Sequence, residues 1–244
     1  MKKILKKLMP KGLRSLLKAG QHRLCCHPPL GWVCFGSLRR TEPVSRVFGL
    51  NRGLPIDRYY IRDFLKKQSA DIKGHVLEIE NSDYTDQFGG DKVISSDVLH
   101  AVTGNPRATI IGNLTTGENI PKDAYDCMII TQTLHCIYDM KAAVKNIYHA
   151  LAKGGVVLAS LPGISQISRY DMDRWGDYWR FTTLSARRLF EEVFEPGNII
   201  IEACGNVLSS AAFLYGLAAE ELKKKELDYR DPDYEQVITV RAVK

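Results

Sequence analysis

The chain has 244 residues, 45% hydrophobic and 25% charged, enough to bury one substantial core and short for two full domains. No run approaches the roughly 18 apolar residues of a membrane-spanning helix; Val207 to Ala219 comes nearest, and Ser209, Ser210 and Gly216 interrupt it. Residues 1–50 hold eleven Lys or Arg and one acid, Glu42, so they carry +10 of a chain total of +6 and leave −4 on the remainder.

A basic arm ahead of a mildly acidic globule points to an anionic surface as partner, membrane lipid or nucleic acid. No aromatics interleave with the basic run, which argues against nucleic acid. Cys25, Cys26, Cys34, Cys127, Cys136 and Cys204 form no C-x-x-C pair, match no familiar zinc spacing and follow no three-part signal peptide. Free thiols in a reducing cytoplasm are the expectation.

In chain order, residues 2–9 (K-K-I-L-K-K-L-M) place Ile4 with Leu8 and Leu5 with Met9 on one helical face, with lysines over the other. An interfacial membrane helix and a helix docked on the domain share this pattern. Residues 27–55 contain four prolines and four glycines and read as an irregular connection. A helix is predicted over Ile56 to Lys67, then strands over His75 to Glu80, Lys92 to Ser96, Ala108 to Ile111 and Tyr125 to Thr131, the last apolar enough to be central. Met140 to Ala152 has helical periodicity and stops at Lys153-Gly154-Gly155, a glycine-terminated helix end that releases a strand over Val156 to Leu161. A helix over Leu184 to Val193 has Thr182 or Thr183 placed to cap it. Strands over Asn198 to Ala203 and Gln236 to Val243 close the chain, separated by a helical run from Val207 to Leu222. Alternating strands and crossover helices specify an α/β fold, a doubly wound, seven-stranded, mostly parallel sheet. The expected organisation is a basic extension and linker over 1–55 and one α/β domain over 56–244.

Ligands of open parallel sheets bind beyond the carboxyl ends of the strands. The residues there are Glu78, Glu80, Asn81 and Ser82 after the first strand, Asp97 after the second, Asn113 and Leu114 after the third, and Thr131, Gln132 and His135 after the fourth. Asp97 lies 19 residues beyond Glu78, the spacing of an acid that accepts from ribose hydroxyls, though an Asp after a strand also serves as a cap or turn residue. The Asn113 amide can donate to and accept from an adenine edge, or simply close a turn.

With Y-D-C-M-I-I-T-Q-T-L-H (125–135) and L-A-K-G-G-V-V-L-A-S-L-P (151–162), the region from Ile56 to Lys244 resembles the class I S-adenosylmethionine-dependent methyltransferases of the methyltransferase type 11 kind. The stretch from Pro162 to Phe190 resembles a subgroup associated with bacterial glycan biosynthesis. The resemblance implies S-adenosylmethionine as cofactor, ribose held by Asp97 and adenine read by Asn113. The family's glycine-rich turn after the first strand reads E-I-E-N-S-D-Y-T (78–85) here, without a glycine.

In-line methyl transfer needs alignment in a dry pocket and no covalent protein intermediate. A hydroxyl acceptor benefits from a general base, for which His135, Asp171 and Asp173 are the candidates. Tyr170, Trp175, Tyr178, Trp179 and Arg180 form the expected acceptor wall, aromatic faces with a cationic fork suited to sugars bearing carboxylate or phosphate. O-methylation of a sugar, glycan or other small molecule is the leading expectation. A catalytically silent partner subunit of the same fold is the alternative, since the turn lacks glycine. A nucleic-acid methyltransferase is disfavoured because T-Q-T-L-H stands where an N-P-P-Y-like motif belongs. Peripheral membrane contact through residues 1–20 completes the expectations, with the protein cytoplasmic, on the inner face of the membrane.

Overall fold

The computed structural model describes residues 28–244, and the chain divides into two compact units, Met1–Glu42 and Pro43–Lys244. In the first unit the described residues include a 3-10 turn, Gly36–Leu38, and the side chains of Leu30, Trp32, Val33 and Phe35 are exposed. The helix expected over residues 2–9 lies outside the described residues.

The second unit is a seven-stranded sheet formed by β1 (Gly74–Ile79), β2 (Val93–His100), β3 (Ile110–Ile111), β4 (Tyr125–Thr131), β5 (Leu151–Pro162), β6 (Ile199–Cys204) and β7 (Val237–Val243). The order is β3-β2-β1-β4-β5-β7-β6, parallel from β3 to β5, with β7 antiparallel to both β5 and β6. The helices are α1 (Ile56–Lys67), α2 (Asp83–Phe88), α3 (Met140–Ala150), α4 (Arg169–Met172), α5 (Thr183–Glu191), α6 (Val207–Leu214) and α7 (Lys224–Asp228).

Side chains alternate across a strand, so the central apolar runs feed two cores. Leu77, Met128, Ile130 and Val157 face Val144 and Ile147 of α3 and Leu189 and Phe190 of α5. Val76, Cys127, Ile129 and Leu158 face Ile61 and Leu65 of α1 and Phe213 of α6. The expected doubly wound fold is observed. Thr182 caps α5 as expected, its hydroxyl accepting from the Ser185 N–H in a capping box.

Beyond shifts of one or two residues at other element ends, such as β3 starting at Ile110 instead of the expected Ala108, four differences have a visible cause. Packing continues β2 to His100: Val98 and Leu99 are buried and pair with Glu78 and Ile79, which leaves Asp97 in mid-strand opposite Leu77. Lys153-Gly154-Gly155 does not end a helix. It lies inside β5, where the β4–β5 register slips between Tyr125 and Cys127. The run from Val207 stops at Leu214 because Gly216 turns back at φ +71, with any Cβ only 2.0 Å from the Ser45 carbonyl oxygen. The stretch Pro43 to Pro55 belongs to the compact unit, the Val44 N–H donating to the Tyr215 carbonyl (2.7 Å) and Pro55 bridging to Ala218.

Candidate functional site

Strand order reverses between β1 and β4, and beyond their carboxyl ends lies a cavity of about 350 Å³. Its walls come from the ends of the first four strands: Ile79 and Glu80, Leu99 and His100, Asn113 and Leu114, Gln132 and Thr133. Tyr170, Asp171, Trp175 and Tyr178, from the segment after β5, line it as well. A second cavity, about 240 Å³, includes Phe48, Asp57, Arg58, His135, Gln166 and Asp177 among its walls. Gln132 and Asp171 line both cavities, so the two share a wall.

The turn after β1 keeps a glycine-like backbone without a glycine. Glu80 sits at φ +71, a left-handed conformation that disfavours an L side chain by about 1 to 2 kcal/mol. Three hydrogen bonds hold it there: Glu80 N–H to the Leu99 carbonyl (3.1 Å), Asn81 N–H to the Ile79 carbonyl (2.9 Å), and Asn105 Nδ2 to the Glu80 carbonyl (2.6 Å). Gln132 is likewise left-handed, φ +45, its N–H donating to the Ser160 carbonyl (3.0 Å).

The expected cofactor residues divide. Glu80, Asn113, Leu114 and Gln132 line the first cavity; Glu78, Asn81, Ser82, Asp97 and Thr131 line neither cavity. Glu78 is buried and turned into the protein, accepting from the N–H groups of Tyr84 (3.2 Å) and Thr85 (2.8 Å) and from the Thr85 hydroxyl (2.8 Å). It braces the start of α2, and burial pushes its pKa up to about 6 against the opposing Thr85 hydrogen bonds. Asn81 accepts from the Asp83 N–H, and the Ser82 hydroxyl donates to Asp86, both local turn contacts. Asp97 is committed inside the sheet, accepting from the hydroxyls of Thr109 (2.7 Å) and Tyr125 (3.2 Å).

His100 takes the place expected of Asp97 at the end of β2. Its Nδ1 lies 2.7 Å from the Val102 carbonyl oxygen and 3.4 Å from the Val102 nitrogen; the shorter contact, to a group that can only accept, is served by the tautomer with the proton on Nδ1, which leaves Nε2 as an acceptor. The ring meets Trp175 edge to face at 5.6 Å. The strand continuing through Val98 and Leu99 is the sequence signal for this residue.

The expected acceptor wall also divides. Tyr170, Trp175 and Tyr178 line the first cavity. Trp179 instead packs on the core, Nε1 donating to the Ile137 carbonyl (3.2 Å). Arg180 lines the second cavity, with its fork turned onto a partner within the protein. It closes on Asp177, whose side chain is 1% exposed, with contacts of 2.5 and 2.9 Å, and it also donates to the carbonyls of Trp179 and Gln166. The Ser168 N–H completes the Asp177 shell (3.0 Å), and Arg180 holds that carboxyl below the usual range despite its burial. Of the acid–base candidates, Asp173 lines neither cavity and lies 3.9 Å from exposed Arg169. His135 is 5% exposed with Nδ1 unpartnered, and burial depresses its pKa while Asp177 opposes.

Arg58 was not anticipated. It lies on α1 at the second cavity and donates to the Tyr84 hydroxyl (2.9 Å). Burial disfavours its charge, but Tyr84, Asp57 and Glu80 outweigh that and raise its pKa. A single arginine on an amphipathic helix carries no sequence signal for this role.

No family model matches the sequence, and no curated protein matches it. Among solved structures, the chain is similar to a SAM-dependent methyltransferase from Archaeoglobus fulgidus at 11% identity and a TM-score of 0.50, covering 77% of this chain and 94% of that one. It also resembles a methyltransferase from Mesorhizobium loti (16% identity, TM-score 0.49, 80% and 100% covered). The N-methyltransferase NodS from Bradyrhizobium japonicum WM9, solved with S-adenosyl-L-homocysteine, is a third (13%, 0.48, 79% and 89%). The Archaeoglobus likeness shows a shared fold, the Rossmann-like sheet of S-adenosylmethionine-dependent methyltransferases.

Proposed function

We propose that the protein is an S-adenosylmethionine-dependent methyltransferase whose first cavity takes the cofactor and whose second takes a small hydroxyl-bearing acceptor, a sugar or glycan unit. The observation that carries the reading is the pair of cavities meeting at Gln132 and Asp171 beyond the reversal of strand order. The residues fit the cofactor. The left-handed turn at Glu80 keeps the backbone approach that glycine provides in the family, His100 Nε2 is free to accept from a ribose hydroxyl, and Asn113 and Leu114 stand where adenine would be read. Trp175 and Tyr178 cover the cavity and limit the entry of water.

The bound cofactor supplies an electrophilic methyl group on a sulfonium. The protein's share is orientation and dryness. Asp171, on the shared wall, stands where an acceptor hydroxyl would meet that methyl group, and His135 borders the acceptor side. Ser165, Gln166 and Asp57 give the second cavity the hydrogen-bonding character that a polyhydroxyl acceptor needs. The basic extension, residues 1–20, is proposed to hold the enzyme at an anionic membrane surface on its cytoplasmic face. The +10 charge of residues 1–50 and exposed Leu30, Trp32, Val33 and Phe35 support that placement. Among the described residues no helix is long and apolar enough to cross a membrane.

One observation favours the competing reading, a non-catalytic subunit of the same fold: Glu80 puts a side chain and a charge where the family has bare backbone. Calorimetry of the full chain with S-adenosylmethionine and S-adenosylhomocysteine, followed by methyl-label transfer to a panel of sugars and sugar acids, tests both. Binding with transfer supports the enzyme. Binding without transfer to any acceptor, or no binding of either compound, supports the silent subunit and sinks the enzyme.

A further inference from the structure

Three donor side chains of the wall between the cavities converge. One donor atom each from His135, Cys136 and Asp171 lies within 4.8 Å of the other two. Cys136 lines the first cavity, His135 the second, and Asp171 both. We propose that His135, Cys136 and Asp171 form a three-ligand site for a divalent ion of the zinc class.

None of the three donors is otherwise satisfied. His135 is 5% exposed, yet its Nδ1 has no partner and its Nε2 has only the Cys136 sulfur at 3.3 Å. A buried polar nitrogen left without a partner is destabilising and asks for an explanation. The Asp171 carboxylate has no hydrogen bond or ion pair among the described residues, whereas nearby Asp177 is fully committed to Arg180 and Ser168. A dication binds the thiolate and the neutral imidazole, so its binding releases the Cys136 thiol proton to solvent.

The donor chemistry selects the ion. Imidazole, thiolate and one carboxylate are a borderline-soft set that suits zinc or cobalt, whereas calcium and magnesium require oxygen shells. Zinc bonds of about 2.0 to 2.3 Å place tetrahedral ligands about 3.3 to 3.8 Å apart, so the site must contract by about 1 Å. Its frame is already fixed. The N–H groups of Tyr178 and Trp179 donate to the His135 carbonyl, tying the segment that carries Asp171 to the turn that carries His135 and Cys136. The N–H groups of Arg174, Trp175 and Gly176 all donate to the Asp171 carbonyl and lock that turn. Three protein ligands leave a fourth position for water or an entering oxygen donor, the pattern of open zinc sites. Any part the ion takes in methyl transfer, with Asp171 acting through the metal instead of as a free base, rests on the function proposed above; the binding itself does not.

Cobalt(II) titration of the full chain tests it, in a background carrying Cys25→Ser, Cys26→Ser and Cys34→Ser so that the N-terminal thiols cannot contribute. The expected result is stoichiometric binding with a thiolate-to-cobalt charge-transfer band. Cys136→Ser should abolish the band, and Asp171→Asn should weaken zinc affinity at least tenfold in chelator competition while circular dichroism stays unchanged. Asp171, half-buried and engaged only through its backbone, keeps the test open should Cys136→Ser misfold. Absence of the band, its survival in Cys136→Ser, or unaltered zinc affinity in Asp171→Asn overturns the site. Retained cofactor binding beside a negative metal result refutes the site alone, and metal binding beside absent cofactor binding refutes the methyltransferase reading alone.

Discussion

Replacing Glu78 by glutamine should change how stability depends on pH, in a direction set by the burial of this carboxyl. Glu78 is 2% exposed and titrates in the folded protein at about 6, above the ordinary 4.5, because desolvation outweighs the hydrogen bonds from Tyr84 and Thr85. Below about pH 4.5 both folded and unfolded chains hold the proton, and the residue adds no pH dependence. Between about 4.5 and 6 the unfolded chain has released it while the folded chain retains it, so rising pH favours unfolding. Above about 6 the folded protein carries a buried charge at a disadvantage of about 2 kcal/mol, the equivalent of the raised pKa. Glu78→Gln is isosteric and does not titrate. Urea denaturation of both proteins from about pH 4 to about pH 7.5 should show the wild type losing about 2 kcal/mol relative to the variant across that interval, because other groups titrate alike in both. Any constant difference from the altered hydrogen bonding cancels in the comparison. Parallel stability curves, or a gap that moves in favour of the wild type as pH rises, would refute the reasoning.

Other substitutions separate the site from its support. Asp97→Ala should leave S-adenosylmethionine affinity unchanged by calorimetry and lower stability by about 1 kcal/mol, since Asp97 serves Thr109 and Tyr125. His100→Ala should weaken that affinity by about 1 to 2 kcal/mol with little change in Tm; equal affinities would remove His100 from the ribose position. Arg180→Lys should lower Tm, losing about 1 to 3 kcal/mol as the fork on buried Asp177 is replaced by a point charge, and cofactor affinity should hold. Gly176→Ala puts a methyl group 2.3 to 2.6 Å from the Tyr178 ring at φ +99, so it should displace Tyr178 and weaken the cofactor by at least about 1 kcal/mol; unchanged affinity would show that Tyr178 is no part of the cover.

The central strands were legible because apolar runs such as Cys127 to Ile130 bury both faces, a pattern that few other environments produce. Errors gathered where a distant partner decides. Serine and aspartate at 95–97 read as the end of β2, yet pairing of Val98 and Leu99 with β1 carries the strand on to His100, which lines the first cavity where Asp97 does not. Gly216 looked like an interruption within one helix because the Ser45 carbonyl that forces the turn lies far away in sequence. The aromatic and cationic segment at 170–180 was recognisable as unusual. Which of its members face the cavity and which brace it depends on Asp177, whose burial and hold on Arg180 no spacing reveals.

The position of β7 constrains how the protein is made. β6 reaches the sheet only through β7, which lies between it and β5 and is the last strand to be synthesised. While a ribosome is still translating residues 237–243, β5 has an open hydrogen-bonding edge and β6 has no neighbour to zip against. β6 opens with three consecutive isoleucines, a composition that seeks strand partners in other chains. The nascent molecule thus passes through a stage with two exposed edges that a single late insertion seals. Point changes that slow the docking of Val237–Val243 should therefore reduce soluble yield out of proportion to their effect on the finished fold.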